Sequence, residues 1–111
     1  VLKRLELEYG LSTCEKRDDD LFYQWDYPLM WPAATCLAYV GLKNIGLDED
    51  AKRIATKYVS VARNIFDETG RLWEKYDALT GKVAVTSECE TMPMMGWTAG
   101  VYRYFVESEK I

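Results

Sequence analysis

The sequence predicts an all-α chain of about three to four helices joined by long irregular loops. Three observations predict it: apolar residues at three- and four-residue steps over 49–69, a proline-started apolar run over 32–44, and an aromatic-rich run from Gly96 or Trp97 to about Ser108. The first helix is placed from Pro32 to Asn44, with proline at the position where a missing N–H does least harm and Gly46 just past the end. Gly41 interrupts it, at about 1 kcal/mol relative to alanine. Ala33, Ala34, Cys36, Leu37, Ala38, Tyr39, Val40 and Leu42 wrap most of its circumference, as in a helix covered on several sides. The second helix, about Glu49 to Thr69, gathers Ala51, Ile54, Ala55, Tyr58, Ala62, Ile65 and Phe66 on one face. Asp48 is its expected N-cap, without a full capping box, and Gly70 its C-terminal stop. The third helix carries Val101, Tyr102, Tyr104, Phe105 and Val106. Residues 10–31 and 70–95 read as long loops, the latter with a short hairpin around Thr80 and Gly81. Loops beyond about 12–15 residues in a compact domain usually carry function or are disordered, and both of these hold aromatic and acidic residues.

Composition narrows the function classes. A chain of 111 residues builds at most one domain, and 49% hydrophobic with 29% charged residues places it among globular proteins. No apolar run approaches the roughly 18 residues of a membrane span, and the alternating charges and leucines of Val1–Gly10 do not form a signal peptide. The first residue is Val1, which leaves open a start inside a longer gene product. With a net charge of −4 and its Lys and Arg dispersed among acids, the chain has no basic stripe for a phosphate backbone, so nucleic acid is not an expected partner. Three widely spaced cysteines, Cys14, Cys36 and Cys89, lack the close pairs of zinc or redox motifs and point to a reduced, cytoplasmic setting. Histidine is absent, which removes Ser-His-Asp and Cys-His mechanisms and most transition-metal sites. Catalysis, if any, has to run on carboxylates, lysine or tyrosine, without metal or cofactor.

The run Gln24-Trp25-Asp26-Tyr27-Pro28, followed by Trp31, concentrates two indoles, a carboxylate and an amide in eight residues. Indole faces cover the apolar C–H faces of pyranose rings, while carboxylates and amides bond the hydroxyls at the ring edge. The alternative is that Trp25 and Trp31 are core indoles at the head of a helix, with Asp26 bonding nearby backbone N–H groups. The two roles are compatible, because the walls of a helical pocket are also structural.

This run resembles the Gln-Trp-Asp-x-Pro signature of the trehalase family, whose members hydrolyse α,α-trehalose. Trp73-Glu74-Lys75-Tyr76-Asp77 and Gly96-Trp97-Thr98-Ala99-Gly100-Val101 resemble that family's Glu-Lys-Tyr and Gly-Trp-Thr-Asn-Gly-Val segments, in the same order. With a weaker match at Gly10-Leu11-Ser12-Thr13-Cys14, the resemblance covers about residues 10–106. It implies an inverting glycosidase, in which one carboxylic acid protonates the leaving oxygen and a carboxylate about 6.5–9.5 Å away deprotonates water. By position the general base is Glu74, with Trp73 and Tyr76 limiting solvent access and Lys75 helping to hold the site anionic. Gln24, Trp25, Asp26, Trp31, Glu88 and Trp97 are the implied substrate contacts. Glu88 keeps the family's nine-residue spacing to Trp97, yet Thr86-Ser87-Glu88-Cys89-Glu90 replaces a glycine-rich run, so Glu90 competes with it. Met30, Ala33 and Leu29 also depart from the family pattern and would reshape the sugar pocket.

The family fold is an (α/α)6 barrel, and twelve helices of about 11–12 residues already exceed this chain. The resemblance therefore implies a partial (α/α)6 toroid, the C-terminal segment with the base side of the site. Neither the family's acid-bearing aspartate segment nor its Pro-Gly-Gly-Arg-Phe signature has a counterpart here. A fragment or one piece of a longer enzyme is the favoured reading, beside a truncated gene product or a small protein completed by self-association. Its expected partners are trehalose or another α-glucoside, the missing N-terminal part of the barrel, or a second copy. Light scattering should then find dimers or larger species, because an opened barrel exposes apolar faces. Two other readings stay open: a sugar-binding module without turnover, and a helical interaction protein whose aromatic residues are all core.

Overall fold

In the computed structural model, residues 1–84, 91–93 and 96–111 are described. The elements run α1 (Leu2–Leu5), β1 (Leu29–Met30), α2 (Pro32–Asn44), α3 (Asp48–Thr69), β2 (Tyr76–Asp77) and α4 (Gly96–Glu109). Helices α2, α3 and α4 pack on one another, and the two short strands form an antiparallel ladder beside them. This architecture is all-α with a minor two-stranded sheet.

Local signals explain the helix bounds. Pro32 starts α2 behind Trp31 in extended conformation. Its end is a Schellman motif: Gly46, at φ 80°, donates to Lys43 O, and Leu47 N–H reaches back to Leu42 O at 2.9 Å. Gly70, at φ 70°, closes α3 through its bond to Phe66 O at 2.7 Å. Asp48 is not the N-cap expected from the sequence. It forms the first helical residue, Leu47 takes the cap position without a side-chain bond, and the Asp48 carboxylate pairs with Lys43 Nζ at 3.0 Å. Asp48, Glu49 and Asp50 still favour this end of α3 by lying at the positive pole of the helix dipole.

The α3 stripe forms the centre of the core: Ala51, Ile54, Ala55, Tyr58, Val59, Val61, Ala62 and Ile65 are buried. Phe66 is not part of it and stands 48% exposed. Around the stripe, Phe105 of α4 meets Tyr39 of α2 at 4.8 Å and Tyr58 at 5.7 Å between ring centroids, and Tyr76 meets Tyr58 at 6.1 Å. Such tilted and edge-on pairs contribute about 0.5–1.5 kcal/mol each beyond the area they bury. Tyr39 also donates its hydroxyl to Glu109 Oε1 at 2.5 Å, which ties the end of α4 to α2. On α2 only Pro32, Thr35 and Tyr39 are fully buried, and Leu37 is 75% exposed. The wraparound apolar pattern of α2 is thus covered on one side in this chain.

The hairpin expected near Thr80 and Gly81 is present. Asp77 N–H bonds Lys82 O at 2.9 Å, Gly81 N–H bonds Asp77 O at 2.9 Å, and Tyr76 bridges Val83. Asp77 Oδ1 accepts from the N–H groups of Leu79 and Thr80 at 2.8 and 3.0 Å, the turn chemistry of an Asx residue. Gly81 is required twice over: its φ is 69°, and a Cβ there would lie 2.6 Å from the Tyr9 ring.

The N-terminal segment is fastened to α3 by charge. Arg53 donates two bonds of 2.9 Å to the Glu6 carboxylate, and Lys57 Nζ lies 2.8 Å from its Oε1. The Arg53 bonds foremost, then Lys57, hold the Glu6 pKa down from an ordinary 4.5 to about 2. A pKa lowered by folding gives stability that is fully present above 4.5 and is lost as pH falls toward 2. We expect Glu6→Gln to cost about 1–3 kcal/mol at pH 6 and almost nothing near pH 2. Thermal unfolding of both proteins across that range checks this, and parallel melting curves at every pH would contradict it.

Candidate active site

The ladder between β1 and β2 assembles the candidate site. Leu29 pairs with Asp77 and Met30 with Tyr76. Continuing that register by one residue sets Trp31 opposite Lys75, so two stretches more than forty residues apart in sequence become neighbours. Pro28 O accepts from Ala78 N–H at 2.9 Å, and Thr13 bonds Leu29 O through both its N–H and its hydroxyl. The Tyr27–Pro28 peptide is cis.

Trp31 is the hub of the site. The Trp25 ring stacks on it, with centroids 3.9 Å apart and planes 11° from parallel. Trp97, in the first turn of α4, meets Trp31 edge-on at 5.6 Å and Trp25 at 6.3 Å. The Trp31 indole N–H donates to Gln24 O at 2.9 Å, and the ring is buried. Trp31 is therefore a floor, whereas Trp25 and Trp97, 43% and 38% exposed, present aromatic surface to a ligand.

Lys75 is fully buried. Its Nζ lies 5.0 Å from the centroid of the Trp31 ring and 2.8 Å from Glu74 Oε2. An ammonium removed from water needs compensation, and here an ion pair and an aromatic face supply it. The Glu74 side chain is 12% exposed, so its carboxylate is not directed into bulk solvent. Its backbone is fixed as well. Glu74 N–H donates to Met92 O at 2.8 Å, Trp73 bridges Pro93, and buried Thr98 donates its hydroxyl to Trp73 O at 2.7 Å. The start of α4 thus fastens the Glu74 segment and delivers Trp97 together.

Asp26 has one oxygen committed to the backbone: Oδ2 accepts from Tyr23 N–H at 2.7 Å, with Arg17 Nη1 at 3.9 Å. Gln24 uses its carbonyl for Trp31. The structure therefore brings together Trp25, Trp31, Trp97 and, through Lys75, Glu74; Gln24 and Asp26 shape the turn that presents Trp25. Glu88 and its competitor Glu90 lie outside the described residues. Sequence reasoning assigned Lys75 only a general electrostatic part and did not foresee its burial; its aromatic neighbours Trp73 and Tyr76 were the available cue.

Two cavities lie away from the tryptophan cluster. One of about 250 Å³ is lined by Ala62, Arg63, Phe66, Leu72 and Tyr102, and one of about 330 Å³ runs from Leu2 and Leu5 to Ala38 and Ile45. The tryptophan cluster opens to solvent through Trp25 and Trp97. Among the described residues there is no group of three or more acids and cysteines placed to hold a metal ion, and no helix long and apolar enough to cross a membrane.

Comparison with known proteins agrees with the sequence motifs. The sequence model of the trehalase family matches residues 2–109. A trehalase of Bombyx mori is 34% identical over 88 residues, covering 76% of this chain and 15% of the relative. A periplasmic trehalase of Salmonella paratyphi B is 33% identical over 93 residues, covering 83% of this chain and 16% of the relative. The solved structure of a neutral trehalase from Saccharomyces cerevisiae superposes with a TM-score of 0.77 at 29% identity, over 96% of this chain and 18% of that one. The chain thus spans about a sixth of the length of these proteins, and its helices fit part of an all-α toroid. Matched from Leu2 to Glu109, the chain belongs to the trehalase family.

Proposed function

We propose that this chain supplies the general-base side of an inverting glycosidase site acting on trehalose or a closely related α-glucoside. One observation carries the reading: the Glu74 carboxylate is shielded from bulk water and joined, through Lys75 at 2.8 Å, to the tryptophan cluster that Lys75 contacts at 5.0 Å. A sugar ring would stack on the open face of Trp25 or of Trp97, whose planes are nearly perpendicular. Glu74 would take a proton from the water that attacks the anomeric carbon, while an acid from outside this chain protonates the leaving oxygen. Gln24 and Asp26 would bond glucosyl hydroxyls, Asp26 through Oδ1, and Glu88 would be a further contact. The exposed Leu37 and Val40 of α2, with Ile45 just past its end, would dock against remaining elements of the toroid or a second copy. Cytoplasmic action belongs to this proposal; the names of the relatives include both a periplasmic and a neutral enzyme.

The test is glucose release from α,α-trehalose by the protein that contains this chain, with the anomer of the first product read by NMR. Inversion with the wild-type protein, and loss of about 10²–10⁴-fold in kcat on replacing Glu74 by Gln, is the expected result. Sugar-induced quenching of tryptophan fluorescence without any glucose release would instead identify a binding module.

A further inference from the structure

Among the charged groups of the candidate site, Lys75 is the one whose placement the hydrolytic reaction does not by itself demand. It is buried without a water-facing end, and among the described residues Glu74 Oε2 is its only hydrogen-bond partner. A lysine that merely filled space here would be an expensive choice, because a methionine of similar length has no charge to desolvate. Its cation is also held from the other side by Trp31, whose own position is fixed by Trp25, Trp97 and Gln24 O.

We infer that Lys75 is a positioning residue for Glu74: it anchors Oε2 against the tryptophan floor, so that Oε1 is the oxygen turned toward the reacting water. The inference rests on the reading of Glu74 as base. A carboxylate on a free side chain rotates among several orientations, and only some of them aim an oxygen lone pair at the water. The 2.8 Å bond to an ammonium that cannot move selects one. Lys75 is the only charged group within ion-pair distance of Glu74 among the described residues. The neighbouring residues of α4, Trp97 and Thr98, and the facing Trp31 carry no charge. Arg71 on the same loop is exposed, and Asp77 is turned into its own hairpin. Removing Lys75 therefore removes both the anchor and the local positive charge.

The experiment compares wild type, Lys75→Met and Lys75→Arg in the protein that contains this chain. Lys75→Met should lower kcat about 10–100-fold, the range for loss of a group that orients a reacting one, with KM for trehalose within about twofold. Lys75→Arg, which keeps the charge and a donor, should recover part of kcat. The ¹³C NMR signal of the Glu74 carboxyl in the same three proteins reads the contact without turnover, and it should move in Lys75→Met alone. Unchanged kcat and an unchanged carboxyl signal in a folded Lys75→Met protein would overturn the inference, as would equal losses in Lys75→Met and Lys75→Arg. A wild-type protein that releases no glucose would defeat the assignment of Glu74 as base, while the carboxyl signal would still show whether Lys75 holds it.

Discussion

Trp31→Ala is expected to destabilise the fold by about 3–5 kcal/mol and to disperse the candidate site with it. The ring is buried and joins three groups from separate parts of the sequence: Trp25 stacked at 3.9 Å, Trp97 at 5.6 Å and the Lys75 ammonium at 5.0 Å. Its removal opens a cavity, exposes the inner face of Trp25 and leaves a buried cation without its aromatic neighbour. A loss of this size is a large fraction of the 5–15 kcal/mol that holds a typical domain. Trp31→Phe separates the contributions. It retains much of the stack and loses the indole N–H bond to Gln24 O, so its cost should fall to about 1–2 kcal/mol. Urea unfolding gives both values, provided the slope with denaturant stays that of the wild type. If Trp31→Ala cost less than about 1 kcal/mol, the tryptophan cluster would be a surface association and not the floor of a site. Sugar-induced quenching from Trp25 and Trp97 should disappear in Trp31→Ala and survive in Trp31→Phe.

The difference between what could and could not be read from the sequence follows from the range of the interactions. Both ends of α2 were legible because Pro32 and Gly46 act within one turn of the helix, and the same is true of Gly70 for α3. Phe66 was misplaced because the apolar stripe of α3 is wide, and the roughly 100° of rotation past Ile65 carries Phe66 beyond its edge, where it stands 48% exposed. Leu47 holds the cap position, and the Asp48 carboxylate pairs with a partner outside its own turn, Lys43. Strands of two residues have no period to detect, so the pairing of Leu29 and Met30 with Asp77 and Tyr76 was invisible, although it sets Trp31 beside Lys75. The candidate site residues were found as motifs, each local. Their assembly was not, since the bonds that produce it, such as Thr98 to Trp73 O and Glu74 N–H to Met92 O, join segments distant in sequence. A buried lysine is also the residue that composition argues against most strongly.

The pair Glu74–Lys75 is expected to dominate the stability of its segment and to complicate any simple test of catalysis. Glu74→Gln leaves the ammonium of Lys75 buried beside a neutral amide, and breaking a buried pair from one side costs about 3–5 kcal/mol. Lys75→Met should cost less, about 1–2 kcal/mol, because the carboxylate is 12% exposed and can turn toward water once released. In the double variant Glu74→Gln/Lys75→Met no charge remains buried, and the cost should drop below about 1.5 kcal/mol. The single costs would then fail to add by about 2.5 kcal/mol or more, a coupling that a double-mutant cycle in urea measures directly. Additive costs would mean that the 2.8 Å contact contributes nothing and that Lys75 finds its compensation elsewhere. The same four proteins separate folding from chemistry. Glu74→Gln loses activity through both routes, but the double variant is stable, so its glucose release compared with that of Lys75→Met reports on the base. It should remain at least about 10²-fold below wild type. Recovery of turnover in the double variant would move the base away from Glu74 and leave the pair a purely structural element of the aromatic wall.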